Sequence, residues 1–267
     1  MSPAVLPWER ALSDPGVLTA LAILLAIGIA AGIVDATTGG GGMVQIPALF
    51  ALTGPAVVAI APIMALNKVS AAAGNAVSFV RFRASPDVAS PDGRTMAVAL
   101  GAGLPGAVTG VWLATKLDTE QFTPLLVAAL VVVLGYVLFI QPRVRVPERS
   151  GPPKSTTLVA LGLGFYDGLL GPATGSILIL VMQWVLGSGL RTGLATAKVV
   201  QLLFNFTGAV AYALVALPSL AAVVVLAAGN MAGGWLGSRL VIVMSDSLLR
   251  ILVALGVAGA IALTVLT

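Results

Sequence analysis

Apolar residues run along this chain in stretches of about 20, long enough for helices that cross a hydrocarbon layer, and short clusters of glycine, proline and charge separate them. Within a stretch such as residues 125–140 the apolar character is continuous. A membrane barrel strand would alternate polar and apolar positions, so the segments are predicted as helices. The pattern predicts helices over residues 17–36, 59–82, 95–115 and 122–140, with a glycine break at 39–42 and a short apolar piece at 43–52. After a basic, proline-containing linker the order recurs. A helix is predicted over 155–170, a break at 171–175, a short piece at 176–186, and helices over 192–216, 218–241 and 248–266.

Composition removes any soluble alternative. The 267 residues are 58% hydrophobic and 9% charged, with a mean hydropathy of +1.06, too little polar surface for a water-soluble domain of this length. The chain has no cysteine and no histidine. That excludes disulfides, thiolate metal sites, cysteine nucleophiles and a histidine proton relay. The first apolar stretch is not expected to be a cleaved signal peptide. Its flank sets Glu9 and Asp14 against Arg10, without a clear basic n-region, and the stretch has a counterpart in the second half.

The unusual residues inside these segments occur twice in the same order. Gly32-Ile33-Val34-Asp35, Gly39 to Gly42, Lys68 and Asn75 are matched by Gly164-Phe165-Tyr166-Asp167, Gly171-Pro172-Ala173-Thr174-Gly175, Lys198 and Asn205. Gly106 and Gly110 match Gly233 and Gly237, small-xxx-small pairs that let helices approach closely. The chain thus divides into an N-terminal extracytoplasmic segment (1–16), a first transmembrane repeat (17–141), a cytoplasmic linker (142–154) and a second transmembrane repeat (155–267).

Loop charge sets the orientation. The linker carries Arg143, Arg145, Arg149 and Lys154 against Glu148, and Arg81, Arg83, Arg94, Arg191 and Arg239 mark further ends; positive loops stay inside. Lys116 to Glu120 then faces outward. On this count the Lys68 helix runs from outside to inside and the Lys198 helix runs back. The expected fold is an all-α polytopic membrane protein of two inverted repeats, each a glycine-broken helical hairpin plus three transmembrane helices, with both termini outside.

Lysine near a bilayer centre costs about 2.5–3.5 kcal/mol on insertion scales, so Lys68 and Lys198 call for a partner. They would offer charge to an anionic substrate, or each would pair with its own half's Asp35 or Asp167. Asn75 and Asn205 lie two turns beyond the lysines, on the same face within about 20°, where an amide donates to an oxyanion or pins helices together. Gln201, with Asn67 and Ser70, lies near this stripe. The breaks contribute Gly40, Gly41, Gln45, Thr174, Gly175 and Ser176 to the expected substrate site. Non-helical backbone at membrane depth is tolerated where it is buried or lines a wet cavity, and a broken helix offers free N–H groups and a positive dipole end to an anion. Asp35 and Asp167 would carry a coupling proton or compensate the lysines.

These residues resemble the TauE/SafE family of anion permeases, and the run from Gly164 to Ser176, with Ala195 to Lys198 and Asn205 to Gly208, is similar to its YfcA-like branch. The resemblance covers the chain from Leu18 onward. It implies secondary transport of sulfite or organosulfonates, commonly outward, through the glycine segments and the two lysine helices. The first copy, Thr37-Thr38-Gly39-Gly40-Gly41-Gly42, departs from the Gly-Ile-Gly-Gly-Gly pattern common in members. The leading expectation is an exporter of small sulfur-containing anions in a bacterial-type inner membrane, with proton coupling open and access alternating by rocking of the two repeats. A passive anion channel and a cation carrier using Asp35 and Asp167 stand as alternatives. An intramembrane enzyme is disfavoured, since no nucleophile–base pair or metal constellation is visible. The expected partners are the lipid bilayer and a small anion, with a homodimer left open and no nucleic acid; no cofactor and no metal is called for.

Overall fold

The computed structural model describes residues 16–53, 60–84, 93–135, 156–186 and 190–243, with Phe139 and Ile251. The predicted linker, the N-terminal segment before Gly16 and most of the last predicted helix lie outside the described residues. Among the described residues there are nine helices: α1 (Val17–Thr38), α2 (Gly41–Thr53), α3 (Ile60–Arg83), α4 (Gly93–Ala114), α5 (Thr119–Gly135), α6 (Thr156–Leu169), α7 (Thr174–Leu186), α8 (Leu190–Ala213) and α9 (Leu220–Val243). Each matches a predicted segment. α1, α3, α4 and α9 are long and apolar enough to cross a membrane.

Local chemistry explains where ends moved. α1 runs two residues past its predicted end, and there the Thr37 and Thr38 hydroxyls donate back to the Ile33 and Val34 carbonyls at 2.9 and 2.8 Å. α5 starts at Thr119 because Asp118 caps it. The Gln121 N–H donates to Asp118 Oδ1 at 2.8 Å and the Asp118 N–H to Gln121 Oε1 at 3.4 Å, a reciprocal capping box.

Small residues decide which helices meet. On α1 the buried positions Leu24, Gly28, Ala31, Gly32 and Asp35 form one stripe at helical spacing, while Leu18, Ile23 and Leu25 stay exposed. Both faces are apolar, so lipid-facing and protein-facing sides differ in residue size rather than polarity. The stripe meets α9 so closely that a Cβ at Gly28 would lie 2.6 Å from the Leu226 carbonyl oxygen, and one at Gly237 2.7 Å from that of Ile33. α4 meets α6 in the same way, with Gly103, Gly106 and Gly110 against Ala160, Leu161 and Phe165. The small-xxx-small pairs of the sequence therefore each serve a helix of the other half.

Contact register gives the directions. Gly28 lies against Leu226 and Gly32 against Asn230, so α1 and α9 run parallel. Gly74 meets Asn230 and Ser78 meets Gly234, so α3 runs with them. Gly106 against Leu161 and Gly110 against Phe165 make α4 and α6 parallel. Lys68 touches Gly208 while Asn75 reaches Lys198, so α3 and α8 run antiparallel. α2 folds back along α1: Gly41 lies against Ala31 and Asp35, and Leu49 joins Leu24 in one apolar cluster. At the far end of α3 and α9, Arg81 and Arg239 both lie over the Trp235 ring, 5.7 and 3.7 Å from its centroid.

Candidate functional site

α1 ends at Gly39, whose φ of +76° is left-handed and whose N–H donates to the Asp35 carbonyl at 2.8 Å. α6 ends at Gly171, with φ +83° and its N–H on the Tyr166 carbonyl at 3.1 Å. Glycine takes this left-handed conformation at no Cβ cost, and Ala173 in the second break also has a positive φ, +59°. The two breaks pack on each other. Gly39 lies on the Gly175–Ser176 backbone, Gly42 lies beside Gly171 and Pro172, and the Ser176 hydroxyl donates to the Thr38 carbonyl.

Asp35 and Asp167 sit in the last turns of α1 and α6, and each lysine reaches the aspartate of the other half. Lys68 Nζ donates to Oδ2 and to the main-chain carbonyl of Asp167, both at 2.6 Å. Lys198 Nζ donates to Asp35 Oδ2 at 2.9 Å and to the Asp35 carbonyl at 2.5 Å. The own-half pairing of the sequence reading is thus corrected to a crossed one. Its cause is the antiparallel contact of α3 with α8, which carries each lysine to the C-terminal end of the opposite half's first helix. That end is the negative pole of the helix, while α2 and α7, which begin at Gly41 and Thr174, bring the positive helix ends expected from sequence to the same breaks, with the Gly41 N–H directed at Asp35 Oδ1. The exposures of Lys68 and Lys198 are 1% and 0%, so charge compensation is obligatory.

The two half-sites differ in what surrounds the pair. Lys198 also donates to Asn75 Oδ1 at 3.1 Å and to Gln201 Oε1 at 3.0 Å, and Gln201 Nε2 donates to Asp35 Oδ1 at 2.8 Å. The Gly41 N–H approaches the same Oδ1 at 3.4 Å. Lys68 donates to Asp167 alone among the described residues. Near it two phenols hold the break: Tyr212 Oη donates to the Gly168 carbonyl and Tyr166 Oη to the Pro172 carbonyl, each at 2.7 Å.

The remaining sequence candidates fall into three groups. Asn75 and Gln201 join Lys198. Gly40, Gly41, Thr174, Gly175 and Ser176 form the breaks, with the Thr174 hydroxyl on the Gly171 carbonyl at 3.1 Å; Asn205 is buried on α8. Gln45 belongs to a separate network: its Nε2 donates to Ser70 Oγ at 2.6 Å, and its Oε1 accepts from Asn230 Nδ2 at 2.7 Å. Asn230 was missed in the sequence because it has no partner in the first repeat, although a lone amide deep in an apolar helix is itself a signal. Two buried polar atoms near these groups lack a partner among the described residues: Asn75 Nδ2 and Asn67 Oδ1. Lys198 fixes the Asn75 amide with its oxygen inward, which leaves the NH2 group without an acceptor.

Residues 24–264 match the family described as Sulfite exporter TauE/SafE. The chain is 30% identical over 240 residues to a "Probable membrane transporter protein" of Haemophilus influenzae, covering 88% of this chain and 90% of that one. It is 29% identical over 235 residues to "Probable membrane transporter protein YfcA" of Escherichia coli K12, covering 86% and 84%. A "Probable membrane transporter protein ORF9" of a Sinorhizobium species is 30% identical over 258 residues, covering 91% and 92%. No solved structure matches.

Proposed function

The chain belongs to the sulfite exporter TauE/SafE family, a family of membrane transporters rather than enzymes, and we propose on that premise that it exports small sulfur-containing anions, sulfite or organosulfonates, as a secondary transporter. The protein is multi-pass, and its bacterial relatives suggest the cell membrane. The observation that carries the reading is the crossed pairing of Lys68 with Asp167 and Lys198 with Asp35 at two glycine breaks that touch. An anion entering there replaces an aspartate carboxylate on an ammonium and accepts from the free NH2 group of Asn75. The displaced carboxylate takes a proton, which couples transport to the proton gradient. Gly40, Gly41, Thr174, Gly175 and Ser176 let backbone and hydroxyl approach the anion, while Asn205 completes the Lys68 side.

The two halves act as inverted repeats. The antiparallel run of α3 and α8 supports this, as does the exchange of close pairs, α1 with α9 and α6 with α4. Rocking one half against the other then exposes the central site to either face, with the Arg81–Arg239 end cytoplasmic. The test is flux in liposomes holding the purified protein, comparing sulfite, thiosulfate and C2–C3 sulfonates under an imposed pH gradient. Saturable sulfite or sulfonate flux driven by the pH gradient is expected. Flux that follows only the anion's own gradient without saturation would make the protein a channel, and sodium-driven uptake indifferent to sulfite would make it a cation carrier.

A further inference from the structure

Four oxygens surround the Lys198 ammonium: Asp35 Oδ2 at 2.9 Å, the Asp35 carbonyl at 2.5 Å, Asn75 Oδ1 at 3.1 Å and Gln201 Oε1 at 3.0 Å. An ammonium has three protons to give, so the oxygens outnumber the donors. They come from three different helices, α1, α3 and α8. Those of Asp35 and Gln201 are held from behind. The Asp35 carbonyl is the C-terminal acceptor of α1 and also receives the Gly39 N–H at 2.8 Å, and Asp35 Oδ1 receives Gln201 Nε2 at 2.8 Å. The Gln201 amide is oriented by a carboxylate on its nitrogen side and a cation on its oxygen side. A carboxylate oxygen, a carbonyl at the end of a broken helix and two amide oxygens form the kind of donor set that binds a bare cation at membrane depth.

We propose that these oxygens form a monovalent-cation site in which Lys198 serves as a tethered, resident cation. Charge and spacing both select the class. One carboxylate carries one negative charge. The oxygen distances of 2.5–3.1 Å mostly exceed the roughly 2.3–2.6 Å that calcium takes from oxygen, so the cage fits a cation the size of ammonium or potassium. The Lys68 half-site lacks this shell. The repeat position of Gln201 there is Ala71, and the Lys68 bonds among the described residues go to Asp167 alone. In the native protein the cage therefore needs no dissolved alkali ion, because the lysine supplies the charge. Removing the side chain leaves a cavity lined by the same oxygens, open to a free cation.

The test uses the full-length Lys198→Ala protein in detergent, with thermal unfolding measured in ammonium, potassium, sodium and choline chlorides at equal ionic strength. Ammonium and potassium should raise the Tm above that in choline by about 3–6 °C at ten times the dissociation constant. Wild type and Lys68→Ala should show no such difference. Lys198→Ala combined with Asp35→Asn, with the cage uncharged, should fold and lose the response. Equal Tm values for Lys198→Ala in all four salts, or an equal response in Lys68→Ala, would overturn the proposal. So would a Lys198→Ala protein that cannot be recovered in potassium while the double variant can. No transported anion enters the measurement, so its outcome is separate from that of the export reading.

Discussion

At the scale of single residues, the buried ion pairs dominate. Taking one partner from a buried pair leaves an uncompensated charge and costs about 3–5 kcal/mol, whereas neutralising both is far milder. Asp167→Asn alone should therefore destabilise the protein more than Asp167→Asn combined with Lys68→Ala, a difference that a double-mutant cycle of Tm values in detergent would read. Tyr212→Phe removes one buried hydrogen bond to the Gly168 carbonyl and leaves that carbonyl short of a donor. The expected loss is about 1–3 kcal/mol, again seen as a lowered Tm. The lysines and aspartates were legible in the sequence, because ionisable residues within apolar runs stand out and these recur in register. Which lysine meets which aspartate was not. That depends on the antiparallel contact between α3 and α8, a tertiary fact with no local trace.

At the scale of elements, glycine spacing specifies which faces approach. A side chain at Gly106 or Gly28 would drive into the backbone of the facing helix, so Gly106→Leu or Gly28→Leu should abolish recovery of folded, monodisperse protein. Gly101 and Gly162 have open space where a Cβ would stand. Gly101→Ala and Gly162→Ala should keep the fold and gain up to about 1 kcal/mol through helix propensity, read as an unchanged or raised Tm. The repeats of apolar length located the described helices. Residue type alone could not tell that Gln45 bonds to Ser70 and Asn230 rather than facing the breaks, because an amide beside a glycine run suits either place.

At the scale of the whole molecule, the two halves exchange contacts. α1 lies on α9 and α6 on α4, while the breaks and the lysine helices meet in the middle. The proposed opposed insertion of the halves makes a topological prediction. The chain has no cysteine, so single cysteines introduced at the exposed positions Ala84 and Lys116 report cleanly. An impermeant thiol reagent should label Lys116→Cys in right-side-out vesicles and Ala84→Cys only in inverted ones; labelling of both from one side would refute the orientation. The most direct measurement of the central claim is gradient-driven sulfite flux in liposomes. It would compare wild type with Lys68→Ala/Asp167→Asn, a variant in which the charge of one crossed pair is removed but not unbalanced. Loss of a charge-assisted contact worth about 1.5–3 kcal/mol predicts that half-saturation moves to roughly 10- to 100-fold higher sulfite. Unchanged half-saturation and rate in a correctly folded double variant would contradict an anion site built on the crossed lysines.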